Sequence, residues 1–145
     1  MIGAAQIGYL GVKGMNIGQA ADAAGVPAKR IRYYEQIGLI DAAERSGAGY
    51  RVYDEHDLHT LQFVRRSRQL GFSIPEISTL LALWRDRGRS SADVKKVALV
   101  HVRELRTKIS ELQSMVDTLQ DLADHCDGDS RPDCPILAEL QGTKP

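Results

Sequence analysis

The sequence predicts an all-α fold with a small β-wing, followed by one long helix. Three observations predict it: two short helical stretches divided by Gly25-Val26-Pro27, a glycine-containing alternating segment between Leu39 and Tyr53, and a heptad series of apolar residues from Ala98 to Ala123. At 145 residues and 43% hydrophobic, the chain has room for one globular unit with a helical extension. No apolar run approaches the roughly 20 residues that span a bilayer, and Met1-Ile2-Gly3-Ala4-Ala5 lacks the positive flank of a signal peptide. The expectation is a cytoplasmic protein with no membrane partner.

The elements follow in order. Residues 1–14 hold four glycines and no periodicity, and are expected to be a flexible N-terminal extension. Asn16 can cap a first helix from Ile17 to Ala24 that lines up Ile17, Ala20, Ala21 and Ala24. Pro27 suits the entry to a second helix over Ala28–Ile37, stopped by Gly38, so the pair forms a helix-turn-helix candidate. Leu39 to Tyr53, with Gly47 and Gly49, fits two short strands about a tight turn. Asp54 with Asp57 opens a third helix running to Gly71. Ser73 with Glu76 opens a fourth that places Ile77, Leu80, Leu81 and Trp84 inside. These elements make residues 15–89 one winged helix-turn-helix unit.

The long helix, residues 90–124, begins at Ser90 or Ser91. Ala98, Leu105, Leu112 and Leu119 form one heptad series, and Val102, Ile109, Val116 and Ala123 the other. At about 1.5 Å per residue it is roughly 50 Å long, too long for the first unit to cover, so it is expected to pair with its copy in a homodimer. A monomeric bundle is the plainer alternative. Residues 125–145 contain the only two cysteines, Cys126 and Cys134, and Pro135 suits the start of a short last helix.

Net charge is zero but unevenly spread. Residues 1–89 hold 12 Lys/Arg against 9 Asp/Glu, whereas Glu111 to Glu139 hold one base, Arg131, against eight acids. The first part can meet phosphate and the last repels it. On the second helix Lys29, Arg32 and Gln36 stand three and four residues apart and share a face that fits a major groove. Arg45, Tyr50, Arg51 and Tyr53 add basic and aromatic groups to the wing; a solvated hairpin with its tyrosines packed on helices is the plainer alternative, but together with the basic face they favour nucleic acid held chiefly through its phosphates.

The two cysteines are too few for a disulfide framework and fit a reducing compartment. Thiolates are soft ligands that select monovalent copper, silver or gold, zinc or mercury over magnesium or calcium, and structural zinc usually takes four ligands. Asp127, Asp129 and Asp133 do not match a calcium loop. His125, next to Cys126, is a weak candidate for a third ligand, because neighbouring side chains on a helix diverge. No nucleophile–base pair, phosphate-binding Gly-Lys-Ser/Thr loop or histidine quartet is present, so the chain does not read as an enzyme.

Three stretches closely resemble the mercury-resistance-type (MerR) family of transcription regulators: Arg32-Tyr33-Tyr34-Glu35-Gln36-Ile37-Gly38-Leu39-Ile40, Arg45-Ser46-Gly47-Ala48-Gly49-Tyr50-Arg51-Val52-Tyr53, and Leu61 to Ile74. The resemblance covers about Met15 to Leu140. It implies a homodimer with two winged heads on an antiparallel coiled coil, bound to a palindromic operator in a promoter. Lys29, Arg32, Tyr34, Arg45, Tyr50 and Arg51 would contact DNA. Activators of this family untwist an over-long promoter spacer for RNA polymerase when the effector binds.

The segment from Cys126 to Ile136 resembles the metal loop of the family's copper-responsive branch. This implies Cu(I), or Ag(I) or Au(I), held by Cys126 and Cys134; the sequence does not rank the three, and copper is the expected physiological signal because a cell must control it while tolerating its presence. Relatives that sense divalent soft metals carry a cysteine where this chain has Ser91, so Ser91 is expected to act in selectivity without being a ligand. A serine there is also an ordinary helix cap. The rival input is redox, through a reversible Cys126–Cys134 disulfide. Asp127 and Asp133 are expected to raise the thiol pKa values and weaken that rival.

Overall fold

The computed structural model describes residues 14–142, and the expected extension over residues 1–14 lies outside them except for Gly14. The elements run α1 (Ile17–Ala24), α2 (Ala28–Gln36), β1 (Glu44–Arg45), β2 (Arg51–Val52), α3 (Glu55–Gln69), α4 (Ile74–Arg85), α5 (Ser91–Asp124) and α6 (Pro135–Leu140). By internal contacts the chain divides into two units, one ending at Val97 and the other starting at Ala98. The division falls inside α5, beyond the boundary at residues 89 and 90 expected from the sequence.

The first unit is built on well-made helix ends. Asn16, Asp54 and Ser73 each accept the backbone N–H three residues on, and Gln19, Asp57 and Glu76 return the bond to the cap's own N–H. Each reciprocal pair satisfies two amide donors that a helix start otherwise leaves open. Gly25 ends α1 at φ 72°, a left-handed position suited to glycine, and its N–H donates to the Ala21 carbonyl at 2.9 Å. That turn sets α2 against α1.

β1 and β2 pair antiparallel, Glu44 opposite Val52 and Arg45 opposite Arg51, around a turn in which Gly49 takes φ 88°. Met15 and Tyr53 exchange backbone hydrogen bonds at 2.8 Å, which ties the start of the fold to the end of the wing. The core gathers Ala20, Ala24, Ile31, Tyr34, Leu61, Val64, Ile77 and Leu81 from the four helices of the head, with Met15 and Tyr53 from the segments just before α1 and just after β2. Alanines at 20 and 24 leave room for α2 and α3 to approach α1 closely. Larger side chains such as Ile31 and Leu61 each contribute about 1.5–3 kcal/mol by leaving water.

Trp84 departs from the expectation that it lies inside. It remains 38% exposed, with its ring stacked on Phe63 at 4.5 Å between centroids. Ser91 also departs from its expected alternative role: Ser90, not Ser91, accepts the Asp93 N–H through its hydroxyl, so the cap of α5 lies one residue earlier. Ser91 is the first residue of the helix and is exposed.

In the second unit α5 continues to Asp124, 34 residues in all. Ile109, Leu112, Val116 and Leu119 along the predicted seam are each more than half exposed on the single chain. Among the described residues no helix is long and apolar enough to cross a membrane.

Candidate nucleic-acid interface and metal centre

The basic face of α2 forms as its spacing predicts: Lys29, Arg32 and Gln36 are all exposed. Tyr34 does not share it. Its side chain is 3% exposed and belongs to the core, whereas Tyr33 is 51% exposed. Tyr33 stands four residues after Lys29 and three before Gln36, so helical geometry puts it on the basic face. The signal for Tyr33 is that spacing, which is present in the sequence. Tyr34 lines a cleft between the α1–α2 turn and α3, where Arg30, Arg65 and Arg68 also line the wall. Among the described residues these three guanidiniums have no carboxylate partner.

On the wing, Arg45 and Arg51 face each other across the strand pair. Like charges placed so are destabilising unless something offsets them. Arg45 spends one Nη on the Gly49 carbonyl at 2.8 Å, and the Arg51 Nε pairs with the Glu35 carboxylate at 3.0 Å. Tyr50, at the tip, is 74% exposed.

Glu35 is the residue the sequence did not reveal. Its side chain is only 4% exposed, and besides Arg51 it accepts the Tyr53 hydroxyl and the Ala43 N–H, each at 3.0 Å. One carboxylate on α2 therefore fixes both the entry and the exit of the wing. Burial, and then the Glu35 carboxylate, push the Tyr53 phenol well above its ordinary pKa, so it stays a donor. Nothing in the sequence marks this acid, because its partners lie 8 to 18 residues away.

The thiols stand at two helix ends. The Cys126 N–H donates to the Ala123 carbonyl at 3.1 Å, where α5 closes, and Cys134 caps α6, with Pro135 as its first residue. Both cysteines are free thiols and half-buried, and the Cys126 side chain lies near enough to that of Cys134 to bear on its pKa. The backbone N–H of Leu137, then that of Ile136, and the Cys126 thiol hold the Cys134 pKa below its ordinary value. This corrects the expectation that nearby acids raise it. The reason is local: the sulfur faces amide N–H groups, while Asp127 and Asp129 are paired with Arg131.

His125 is engaged elsewhere. Its Nδ1 lies 2.7 Å from the Asp121 carbonyl, and that hydrogen bond, followed by the Asp121 charge, raises its pKa. It closes the C-terminus of α5, a familiar use for a cationic side chain. The donor set is thus two adjacent sulfurs, one predisposed to ionise, which suits a soft ion and offers little to a hard one.

The comparisons agree with this architecture. Residues 15–84 match the family model "MerR HTH family regulatory protein" and residues 58–122 match "MerR, DNA binding". The chain is 60% identical to heavy metal-dependent transcription regulator 2 of Rhizobium meliloti, over 87% of this chain and 86% of that one. It is 59% identical to the HTH-type transcriptional regulator HmrR of Sinorhizobium medicae, with the same coverage of 87% and 86%. Among solved structures it is similar to the transcription regulator PbrR691 of Ralstonia metallidurans in complex with lead(II), with TM-score 0.76 and 33% identity over 87% of this chain and 98% of that one. The chain belongs to the MerR family of DNA-binding, helix-turn-helix transcription regulators.

Proposed function

We propose that the chain is a metal-responsive regulator acting in the cytoplasm, a homodimer that binds promoter DNA and activates copper-resistance and efflux genes on taking up Cu(I). Ag(I) and Au(I) fit the same donors. The observation that carries this reading is the pairing of the two free thiols at the end of the long helix, on a chain whose other end is a basic winged head. Two thiolates satisfy a monovalent soft ion. A third thiolate, which divalent soft metals favour, is not available from a chain with two cysteines.

Lys29, Arg32, Tyr33 and Gln36 lie on the groove-facing side of α2, and Arg45, Tyr50 and Arg51 meet the backbone from the wing. Tyr34 takes part through its cleft, where Arg30, Arg65 and Arg68 supply charge for a phosphate. The exposed seam of α5 is the homodimer interface, since apolar rows of this kind rarely stay in water. Ser91 keeps the site at two sulfurs because a hydroxyl is a poor soft-metal ligand.

Effector binding favours a DNA-distorting dimer only by its difference in affinity for the two protein states. Deforming a site of this size costs on the order of a few kcal/mol, comparable to such couplings. The dimer stays on the operator in both states, and its shape decides whether RNA polymerase can use the promoter.

A second reading has its own observation. The lowered Cys134 pKa and the adjacent Cys126 thiol also suit a reversible disulfide. Transcription from the native promoter with purified reduced protein, in the presence of buffered Cu(I), zinc or peroxide, separates the two. Activation by Cu(I) alone is expected; activation by peroxide alone overturns the metal reading. S91C should gain a response to divalent soft metals, and an unchanged profile counts against the role given to Ser91.

A further inference from the structure

We propose that Arg131 is a positioning residue that latches the loop between the thiols and so presets the pair for its ion; this rests on the thiol site proposed above. The Arg131 guanidinium holds two carboxylates at once. Its Nε lies 2.8 Å from one oxygen of Asp129, its Nη2 contacts Asp127, and its own backbone N–H donates to the other Asp129 oxygen at 2.9 Å. Gly128, at φ 66°, turns the backbone between the two acids, in a conformation other side chains rarely adopt.

Seven residues separate Cys126 from Cys134, and residues 127–131 all lie within this latch. Pro132 has its φ fixed by its ring. Only Asp133 is left with ordinary backbone freedom, and the two cysteines are themselves anchored at the end of α5 and the start of α6. The loop thus brings the sulfurs together before any ion arrives, and an ion captured by such a site pays less ordering entropy.

The latch and plain electrostatics predict opposite signs. The loop holds Asp127, Asp129 and Asp133 against one arginine. If charge alone mattered, removing Arg131 would strengthen the attraction for a cation, and removing the acids would weaken it. If the latch matters, both changes weaken binding, and making them together adds little. The three side chains are 42–75% exposed, so the effect is modest and fades in high salt.

The test titrates the reduced full-length protein with Cu(I) against a competing chelator. R131A and D127N/D129N are each expected to bind about three- to tenfold more weakly, the triple variant no more weakly than either, and R131K to recover part of the loss. Backbone 15N relaxation of residues 127–133 in the metal-free protein supplies a readout that needs no ion: order should fall in R131A while the melting temperature holds. Unchanged or tighter binding by R131A, or unchanged loop order, overturns the latch. If the wild type takes up no Cu(I), or C126S and C134S bind as it does, the thiol-site reading fails instead, and the claim about affinity falls with it.

Discussion

The head and the long-helix unit solve the same problem of stability in different ways. The head closes on itself: its three reciprocal caps, its shared core and the Glu35 carboxylate leave few groups in need of an outside partner. The second unit is open. Its seam from Ile109 to Leu119 lies in solvent on the single chain, and the side-chain ties across its loop are exposed ion pairs. A part that reads DNA benefits from a fixed shape. A part proposed to report an ion would benefit from low local stability, which small binding energies can shift.

The largest effect should come from the thiols. C126S or C134S is expected to abolish the response to Cu(I) in a promoter assay while operator binding persists in a gel-shift measurement. Induction that survives loss of either thiol would separate sensing from this unit altogether.

Next come two apolar residues, one from each region. L61A empties a fully buried position of the head and should cost about 2–5 kcal/mol in urea melts at any protein concentration. L112E should leave the head folded but shift the protein to monomer in analytical ultracentrifugation, with concentration-dependent loss of operator binding. If L112E stays dimeric, the seam is not the interface.

E35A removes the partner of Arg51, Tyr53 and Ala43 and should cost about 1–3 kcal/mol of stability, with a looser wing and weaker DNA binding. An unchanged operator affinity would show that the wing positions itself without α2. D54A should cost about 1 kcal/mol near neutral pH. The Asp57 N–H holds the Asp54 pKa below its ordinary 3.8, so this contribution is present above that value and disappears as pH falls through the lowered one. H125A should show the smallest effect, with the opposite pH dependence. Its raised pKa means that the stabilisation is complete below the ordinary 6.5 and is lost as pH rises through the higher value, which thermal melts across pH would register.

Much of the head was legible in the sequence because its signals are local. A cap and its reciprocal residue are three positions apart, a stopping glycine is next to its helix, and the α2 basic face follows from helical spacing. What was missed depends on distant partners or on fine rotation. Glu35 looks like any acid in a polar helix until the wing folds back on it. Tyr33 and Tyr34 differ by about 100° of helix rotation, and that step alone decides which one meets solvent and which the core. In the loop the acids taken as bare charges would raise the thiol pKa values, whereas Arg131 takes up two of them and backbone amides hold Cys134 down. Only the folded chain shows that the Trp84 ring stacks on Phe63.

The most direct test of the account is the coordination of Cu(I) in the reduced dimer, read by X-ray absorption at the copper edge. The account predicts one ion per chain bound by two sulfur donors, with that signal gone in C126S. A site with three or four donors, or one with nitrogen or oxygen in place of either sulfur, would contradict it.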